Sequence, residues 1–340
     1  MSAVVIAGRR SRIRRRALIT GMIALLVVAA FALSLMVGNT FYGPAEVLRV
    51  IFGQDVPGAS FTVGDLRLPR AVLGLLAGVS FGVAGVTFQT MLRNPLASPD
   101  IIGISSGASA AAVVGIVVFS LNETAVSFLA LAGALVTAGT IYLLANRGGF
   151  AGTRLILIGI GVAAILDSAV SYTLSRAATW ELQTAMQWLT GSLNGASWSS
   201  VTWLAVACAV LLPLLLVQQR NLGPLQLGDD SAASLGVGVQ RTRVLLILAA
   251  VGLLAFATAA TGPIAFVAFM SGPIAARLVG PAGSLVVPAG LVGGLLVLVA
   301  DLAGQNAFDN RSPVGVITGV IGAPYLVFLL IRTNRSGGSL

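Results

Sequence analysis

The sequence predicts an all-α, polytopic membrane protein of about ten transmembrane helices. Of its 340 residues, 57% are hydrophobic and only 9% are charged, whereas soluble domains carry roughly 25% charged residues. The charged residues are also spaced so that long windows contain none. Most of these windows hold the ~20 apolar residues that a helix needs to cross a bilayer.

The charge-free windows give the helices in order along the chain. They cover residues 17–45, 71–92, 101–122, 124–146, 182–219, 244–276, 278–300 and 312–331. A further span at about 155–175 contains one charge, Asp167. The window 244–276 is too long for one helix, so we divide it at Gly262 and Pro263. The predicted total is ten helices, all within one transmembrane domain that covers residues 1–340.

The arginines predict how these helices are oriented. All twenty basic residues are arginine, and six of them form "RRSRIRRR" at 9–16, just before the first span. Because cytoplasmic loops of membrane proteins carry an excess of basic residues, the N-terminus is expected in the cytoplasm. Threading ten spans from there places fifteen arginines inside and five outside, and both termini inside. The net charge of +9 therefore reflects orientation in a lipid membrane, and we expect no nucleic acid partner.

The same threading divides the chain into five segments. We expect a cytoplasmic N-terminus at 1–16, helices one to six in 17–217, a cytoplasmic connection at 218–243, helices seven to ten in 244–332, and a cytoplasmic tail at 333–340. The first apolar run is longer than that of a signal peptide and lacks a clear cleavage site, so we expect it to remain as an uncleaved helix.

Missing residue types limit the chemistry of the chain. Without lysine no phosphate-binding loop of the G-x-x-x-x-G-K-[ST] type can form. Without histidine, and with Cys208 as the one cysteine, no His/Cys metal cluster or Ser-His relay is available. We therefore expect no catalytic residue, no metal site and no bound cofactor. The energy for any transport has to come from a partner protein or an ion gradient.

Asp167 lies about three turns into the fifth predicted span. A carboxylate at that depth is costly and is by default a functional hypothesis. It either lines a water-filled pathway or bonds to a serine or backbone group of a neighbouring helix. The sequence leaves both readings open.

A weak internal repeat is visible in the chain. The spans after Arg70 and Arg243 both begin with arginine and a run of Val, Leu and Ala. Both lead into a segment broken by Gly and Pro, "RNPLASPDIIGISSGA" in the first and "TGPIAFVAFMSGPIAARLVG" in the second. By the threading above, the first span runs inward and the second outward. This pattern predicts an inverted repeat, in which broken helices mark a transport path.

Five motifs in order along the chain resemble one family. They are "LRLPRAVLGLLAGVSFGVAGVTFQTMLRNPLASPDIIGISSGASA" (66–110), "TRLILIGIGVA" (153–163), "MQWLTGSLNGASW" (186–198), "LGDDSAASLGVGV" (227–239) and "SPVGVITGVIGAPYLVFLL" (312–330). The chain resembles the permeases of bacterial ABC importers for iron-siderophores, haem and cobalamin. The resemblance implies two permease subunits around a central path and two ATPase subunits beneath them, which bind ATP and Mg. It also implies an extracytoplasmic binding protein that delivers substrate.

The cytoplasmic motif "LGDDSAASLG" suits a short helix, opened by aspartate and ended by glycine. In the family, this element couples the permease to the ATPase. The resemblance therefore predicts an ATPase contact that is made by Gly228, Asp229, Asp230, Ala232, Leu235 and Gly236. The alternative is an ordinary solvated loop.

Arg67 and Arg70 match family positions that pair with acidic residues of the binding protein. The guanidinium group suits this role because it can bond both oxygens of a carboxylate. Family members usually have a third arginine a few residues after the position of Asp301. Gln305 stands in that region here, so Arg311 is the candidate for the third contact. The alternative is that these arginines anchor helix ends to lipid headgroups.

"FAGTR" at 150–154 matches the segment that narrows the cytoplasmic exit in the family. Small residues such as Gly152 and Thr153 can pack closely when the exit is shut. The alternative is a loop before a helix, with Thr153 as its cap.

The expected function is that of a permease subunit of an ATP-driven importer in the bacterial cytoplasmic membrane. A ferric siderophore is the favoured substrate, ahead of haem and cobalamin, and the second permease is an identical or a similar chain. The competing hypothesis is an ion-coupled secondary transporter built on inverted repeats. That class predicts intramembrane acids, of which only Asp167 is present, and leaves the connection at 218–243 without a role.

Overall fold

A computed structural model describes residues 3–100, 102–146, 152–280, 283–308 and 310–335. Within these ranges the chain forms thirteen α-helices and one π-helical segment, and no β-strand. This confirms the predicted all-α class. The helices are α1 (Ala3–Met36), α2 (Pro44–Ile51), α3 (Leu68–Met91), α4 (Ile104–Val117), α5 (Glu123–Ala145), α6 (Gly152–Ser175), α7 (Thr179–Leu189), α8 (Trp198–Gln226), α9 (Asp229–Ser234), α10 (Val239–Thr261), α11 (Val267–Val279), α12 (Val286–Asn306) and α13 (Val314–Arg335), and the π-helical segment Ser60–Arg67 runs directly into α3.

Eight helices in the described part of the chain are long and apolar enough to cross a membrane. They are α1, α3 with its π-helical extension, α5, α6, α8, α10, α12 and α13. The two other predicted spans coincide with α4 and α11, which have 14 and 13 residues. At 1.5 Å per residue these helices are roughly 20 Å long, which is shorter than the ~30 Å hydrocarbon layer. Non-helical backbone must therefore complete both crossings.

Part of the interruption before each short helix is buried in the protein. Ala97, Ser98 and Ile102 precede α4 and are at most 5% exposed, and Ile264 before α11 is 2% exposed. Irregular backbone at membrane depth is tolerated only where protein or water covers it. The described residues next to α4 satisfy this condition, whereas Ala265 before α11 is exposed and requires water or another protein against it.

Helix α3 occupies the centre of the molecule. In its most apolar stretch 78% of the residues are buried, against 17% in α6. It packs most extensively against α12 and also contacts α8, α10 and α11. Helices α3 and α10 form the inner layer with α12, whereas α1, α5, α6, α8 and α13 expose most of their surface.

A glycine stripe on α3 explains its close contact with α12. A Cβ atom on Gly78 would overlap the carbonyl oxygen of Gly293, and one on Gly82 would overlap that of Ala289. Glycine at a spacing of four residues lets two helix backbones approach closely, which drives helix association in lipid. The "GLLAGVSFG" motif (74–82) therefore determines which helix lies against α3.

Helices α3 and α10 run in opposite directions. Their inner ends meet at Asp229, which accepts hydrogen bonds from Arg93 and Arg243. The short helices that follow them each begin after a residue with positive φ, namely Gly103 (87°) and Phe266 (63°). The antiparallel direction and the interrupted helices agree with the expected pattern, while the inverted repeat itself stays a prediction.

The boundaries predicted from charge-free windows need correction at the membrane surfaces. Helix α8 continues past Arg220 to Gln226 and α10 begins at Val239, so the cytoplasmic connection is 227–238 rather than 218–243. The Arg-rich stretch at 9–16 is helical as part of α1. The chain between α1 and α3 contains α2 and the π-helical segment, and the chain between α6 and α8 contains α7. A charge-free window corresponds to the part of a helix that lies in lipid. The helix itself can extend into water, because its backbone hydrogen bonds continue past the membrane surface. The predicted tail is helical up to Arg335, and residues 336–340 lie outside the described residues.

Candidate functional site: the two ends of the helix bundle

Helix α9 lies at the cytoplasmic end by the threading above, between α8 and α10. It begins after Gly228, whose φ is 112°, and ends before Gly236, whose φ is 83°. Both angles fall in the left-handed region that glycine adopts without a steric penalty. The predicted short helix, with aspartates in its first turn and glycine past its end, is present.

The two faces of α9 differ in exposure. Asp230 and Gly236 are exposed, and the side chain of Leu235 is 62% exposed. Ala232 is completely buried against the chain itself. The expectation that Ala232 contacts an ATPase is therefore corrected, because a buried methyl group offers nothing to a partner. Asp230, Leu235 and Gly236 form the available surface.

Asp229 is also directed into its own chain. Arg243 Nη2 donates to both of its carboxylate oxygens, at 2.9 and 2.8 Å. Arg93 Nη2 donates to Oδ1 at 3.1 Å, and Arg93 Nε donates to the carbonyl of Leu225 at 3.1 Å. The sequence analysis does not predict these bonds, because the sequence does not show that Arg93 and Asp229, which are 136 positions apart, lie together.

The turn between α3 and α4 is held by its own side chains. Asn94 Oδ1 accepts from the backbone N–H of Leu96 at 2.9 Å. The hydroxyls of Ser98 and Ser105 donate to Asp100 at 3.2 and 2.7 Å. The proline-broken segment is thus an ordered turn.

The predicted gate residues lie at the start of α6, and residues 150 and 151 of the motif lie outside the described residues. A Cβ atom on Gly152 would lie 2.9 Å from Leu92 Cδ2, so this position packs tightly against the inner end of α3. Thr153 is exposed in the first turn of α6. It is therefore inside the helix rather than its cap, and the gating role stays a prediction.

At the opposite end the structure brings Arg67, Arg70 and Arg311 together. All three line one cleft of about 360 Å³, with Asn194 and Gln305. Arg67 donates to the carbonyls of Leu35, Met36 and Thr40 at 3.0, 3.0 and 2.7 Å. Leu35 and Met36 are the last residues of α1, so the first two bonds go to C-terminal carbonyls that the helix itself leaves unpaired.

Arg70 forms a two-pronged ion pair with Asp301. Its Nε and Nη2 donate to the two carboxylate oxygens at 2.9 and 2.8 Å, and its Nη1 donates to Asn194 at 2.9 Å. The side chains of Arg70 and Asp301 are 17% and 6% exposed. Gln305 donates to the same carboxylate at 2.6 Å. Arg70 therefore joins α3 to α12 and has little surface left for a partner.

Arg311 is the most available of the three arginines. It is exposed, and its Nη2 donates to Asn39 Oδ1 at 3.0 Å. Of the predicted docking residues, Arg311 can change partners with the least cost to the fold, because its hydrogen bond lies at the surface.

Asp167 lies on the exposed side of α6. Its side chain forms no hydrogen bond or ion pair with the described residues, although its carbonyl accepts from Ser171. Of the two readings of Asp167, the bond to a neighbouring helix is absent from the described structure. Among all the described residues, there is also no group of three or more side chains that could hold a metal ion.

Gln89 forms a polar contact that the sequence analysis missed. Pro273 has no N–H to donate to the carbonyl of Phe269, four residues earlier in α11. Gln89 Nε2 on α3 donates to that carbonyl instead, at 3.0 Å, and Gln89 is 7% exposed. The available signals were a glutamine within one predicted span and a proline within another, but the sequence does not show that the two helices are neighbours.

The fold and the two polar ends define a multi-pass membrane permease. The chain matches the FecCD transport family over residues 25–332 and belongs to that family. It is thus a transmembrane permease of the ABC importer type.

Named relatives agree with this class. The ferric enterobactin permease FepG of Escherichia coli (strain K12) is 39% identical over 95% of this chain and 98% of its own length. The achromobactin permease CbrC of Dickeya dadantii (strain 3937) is 39% identical over 97% of both chains. The iron(3+)-hydroxamate permease FhuG of Bacillus subtilis (strain 168) is 35% identical over 91% of this chain and 95% of its own. A solved inward-facing metal-chelate type ABC transporter superposes with a TM-score of 0.83 at 27% identity, covering 92% of this chain and 99% of the other.

Proposed function

We propose that this chain is the permease subunit of an ATP-driven importer that carries a ferric siderophore across the bacterial cytoplasmic membrane. The substrate class is supported by three relatives, the permeases for ferric enterobactin, achromobactin and iron(3+)-hydroxamate. Haem and cobalamin rank after it. The chain has no lysine for a phosphate-binding loop, so ATP and Mg bind to two partner ATPase subunits.

The observation that carries the proposal is the exposed surface of α9. A six-residue helix lies between α8 and α10 in the chain, and Asp230 within it and Leu235 at its end are exposed to solvent. A short helix with an exposed apolar residue can sit in a cleft of another protein. Closure of the ATPase subunits on ATP would displace α9 and switch the path from outward-open to inward-open.

The surface of α6 supports pairing with a second permease subunit. Asp167 is exposed there, and a charged side chain near the middle of a transmembrane helix is too costly to face lipid. We therefore place this face of α6 on a water-filled path shared with an identical or similar chain. In this arrangement both termini and α9 are cytoplasmic.

Exchange of Asp230 for arginine tests the ATPase contact. Asp230→Arg should abolish co-purification of the ATPase subunits and uptake of radioactive ferric siderophore. The matched control is Asp65→Arg, an equal charge change at an exposed residue of the opposite end. It should retain the ATPase. Full uptake by Asp230→Arg cells would refute the contact, and siderophore accumulation by the chain without any ATPase would refute the proposal.

Arg311 offers the sharpest test of binding-protein docking. Arg67 and Arg70 hold α1 and α12 in place, so their exchange would disturb the fold as well as any docking. Arg311→Glu should weaken capture of the substrate-loaded binding protein at least tenfold, because it reverses the charge at the edge of the arginine-lined cleft. Arg49→Glu, an exposed outer arginine on α2, is the control. Equal capture by both variants would contradict the assignment.

A further inference from the structure

The ion pairs around Asp229 join three helices at one carboxylate. Asp229 is the first residue of α9, Arg93 follows the end of α3, and Arg243 lies in the second turn of α10. The Asp229 oxygens lie 2.8–3.1 Å from the guanidinium nitrogens of both arginines. Any displacement of the first turn of α9 therefore acts on the inner ends of α3 and α10 together.

The three side chains of this contact differ in burial. The Arg243 side chain is 8% exposed, whereas those of Arg93 and Asp229 are each 46% exposed. Arg243 thus presents its charge to Asp229 from within the protein, and Arg93 closes the pair from the solvent side. Hydrogen bonds between ionised groups are shorter and stronger than neutral ones. Such bonds can keep α9 attached to the neighbouring helices when α9 moves.

The two attached helices form the centre of the molecule. Helices α3 and α10 have 78% and 72% of their most apolar stretch buried, the highest values among the candidate spans of the described chain. Arg93 adopts a left-handed backbone conformation with φ 54° and also bonds the carbonyl of Leu225 near the end of α8. The turn after α3 is therefore shaped so that Arg93 can reach both α8 and α9.

We infer that Asp229 is a positioning residue of the coupling step: it fastens α9 to Arg93 and Arg243 and transmits the movement of α9 to α3 and α10. This inference rests on the proposed function. It assigns the two neighbouring aspartates different tasks, since Asp230 is exposed toward a partner and Asp229 binds its own chain. The competing reading is that Asp229 contacts the ATPase directly.

The test uses the assembled importer, purified with its ATPase subunits and reconstituted in vesicles with the binding protein and ferric siderophore. Asp229→Asn keeps the size of the side chain and removes its charge. We expect this variant to retain the ATPase subunits and to hydrolyse ATP, while siderophore imported per ATP hydrolysed falls at least tenfold. Arg93→Gln should reproduce the loss. Asp229→Glu, which keeps the charge, should recover most of the coupling.

The double variant Asp229→Asn with Arg93→Gln separates the two readings. If both residues act through one contact, the double variant should import no less per ATP than Asp229→Asn alone, because the contact is already lost. Arg93→Gln changes a half-exposed residue, so it keeps the test valid even if a change at the buried Arg243 prevents folding.

Two results would overturn the inference. The first is loss of the ATPase subunits from Asp229→Asn but not from Arg93→Gln, which would make Asp229 a direct contact. The second is unchanged import per ATP in all these variants. If the unmodified chain retains no ATPase subunits, the proposed function fails and the inference fails with it. An importer that is only uncoupled gives a different result, because it retains its ATPase subunits and still hydrolyses ATP.

Discussion

Gly78 shows how single residues determine the packing of the central helices. A Cβ atom there would overlap the Gly293 carbonyl and lie 2.7 Å from the Gly294 Cα atom. Both are backbone atoms and cannot rotate away. Gly78→Ala should therefore separate α3 from α12 and destabilise the protein by about 1–3 kcal/mol, the usual cost of overpacking. The measurement is the midpoint of thermal unfolding in detergent.

Gly139→Ala is the matched control for this prediction. Gly139 also lies within a transmembrane helix, α5, but a Cβ atom there would meet nothing within 4 Å. Since alanine favours the helix over glycine by up to ~1 kcal/mol, this variant should be as stable as the unmodified chain or slightly more so. Equal loss of stability in both variants would show that the α3–α12 contact is not the cause.

Gln89 and Pro273 provide a prediction about coupled residues. Gln89→Leu removes the donor to the Phe269 carbonyl and leaves that buried group unpaired, which should cost about 1–3 kcal/mol. In a Pro273→Ala background the backbone N–H of residue 273 can donate to the same carbonyl, so Gln89→Leu should cost less there. A double-mutant cycle of unfolding midpoints measures the difference. Strictly additive effects would contradict the proposed replacement of one donor by the other.

Sequence reasoning reached some of these residues and missed others for a physical reason. The arginines of the outer cleft and the helix at 229–234 were predicted from their motifs. The ion pairs of Asp229, and of Arg70 with Asp301, join residues 14 to 231 positions apart. Such pairs depend on which helices lie side by side, and composition and spacing carry no record of that. The same limit explains why the burial of Ala232 and the bonds of Asp229 to its own chain were not predicted.

At the scale of helices, the faces of α5, α6 and α8 differ in what they can contact. Val136 on α5 and Val210 on α8 are 69% and 63% exposed in apolar surroundings that suit lipid. The exposed face of α6 carries Asp167 beside Ser168 and Ser171. Lipid solvates apolar groups well and ionised groups poorly. The α6 face should therefore contact water or a second permease.

Cysteine labelling tests the α6 face. Cys208 is the one cysteine and is buried, so Cys208→Ala provides a cysteine-free background. In that background, and with the importer outward-open, Ser168→Cys should react with a small hydrophilic maleimide at least tenfold faster than Val210→Cys. Both positions lie near the middle of their helices. Equal and slow reaction at the two positions would contradict the placement of Asp167 on a water-filled path.

The lengths of the elements show where the sequence was informative. Charge-free windows located nine of the ten apolar helices once the longest window was divided, because the cost of burying charge in lipid is large enough to dominate the pattern. The tenth, α6, was predicted from an apolar stretch that contains Asp167. The windows could not locate α2, α7 or the π-helical segment, which lie in connections of mixed polarity. They also placed the end of α8 too early and the start of α10 too late. Both helices continue beyond the lipid, where charged residues are exposed to water.

At the scale of the whole molecule, the two polar ends differ in how their charges are arranged. The outer end has an arginine-lined cleft in which Asp301 is held by Arg70. The inner end has a short helix whose first carboxylate is held by two arginines. Each end therefore combines a contact that belongs to the fold with an exposed residue, Arg311 or Asp230, that a partner can reach. The central helices α3, α10 and α12 connect the two ends, which is the arrangement that a permease operated from one side requires.

This arrangement predicts that the two ends of the helix bundle face opposite sides of the membrane. Phe52 follows α2 at the arginine-cleft end and is 79% exposed, and Leu235 follows α9 and is 62% exposed. The fifteen-to-five distribution of arginines predicts that Leu235 lies in the cytoplasm. In the Cys208→Ala background, an impermeant maleimide should label Phe52→Cys in intact bacterial cells and spare Leu235→Cys. In inverted membrane vesicles the labelling should reverse. Labelling of Leu235→Cys from outside intact cells would invert the topology and remove α9 from the side on which ATP is available.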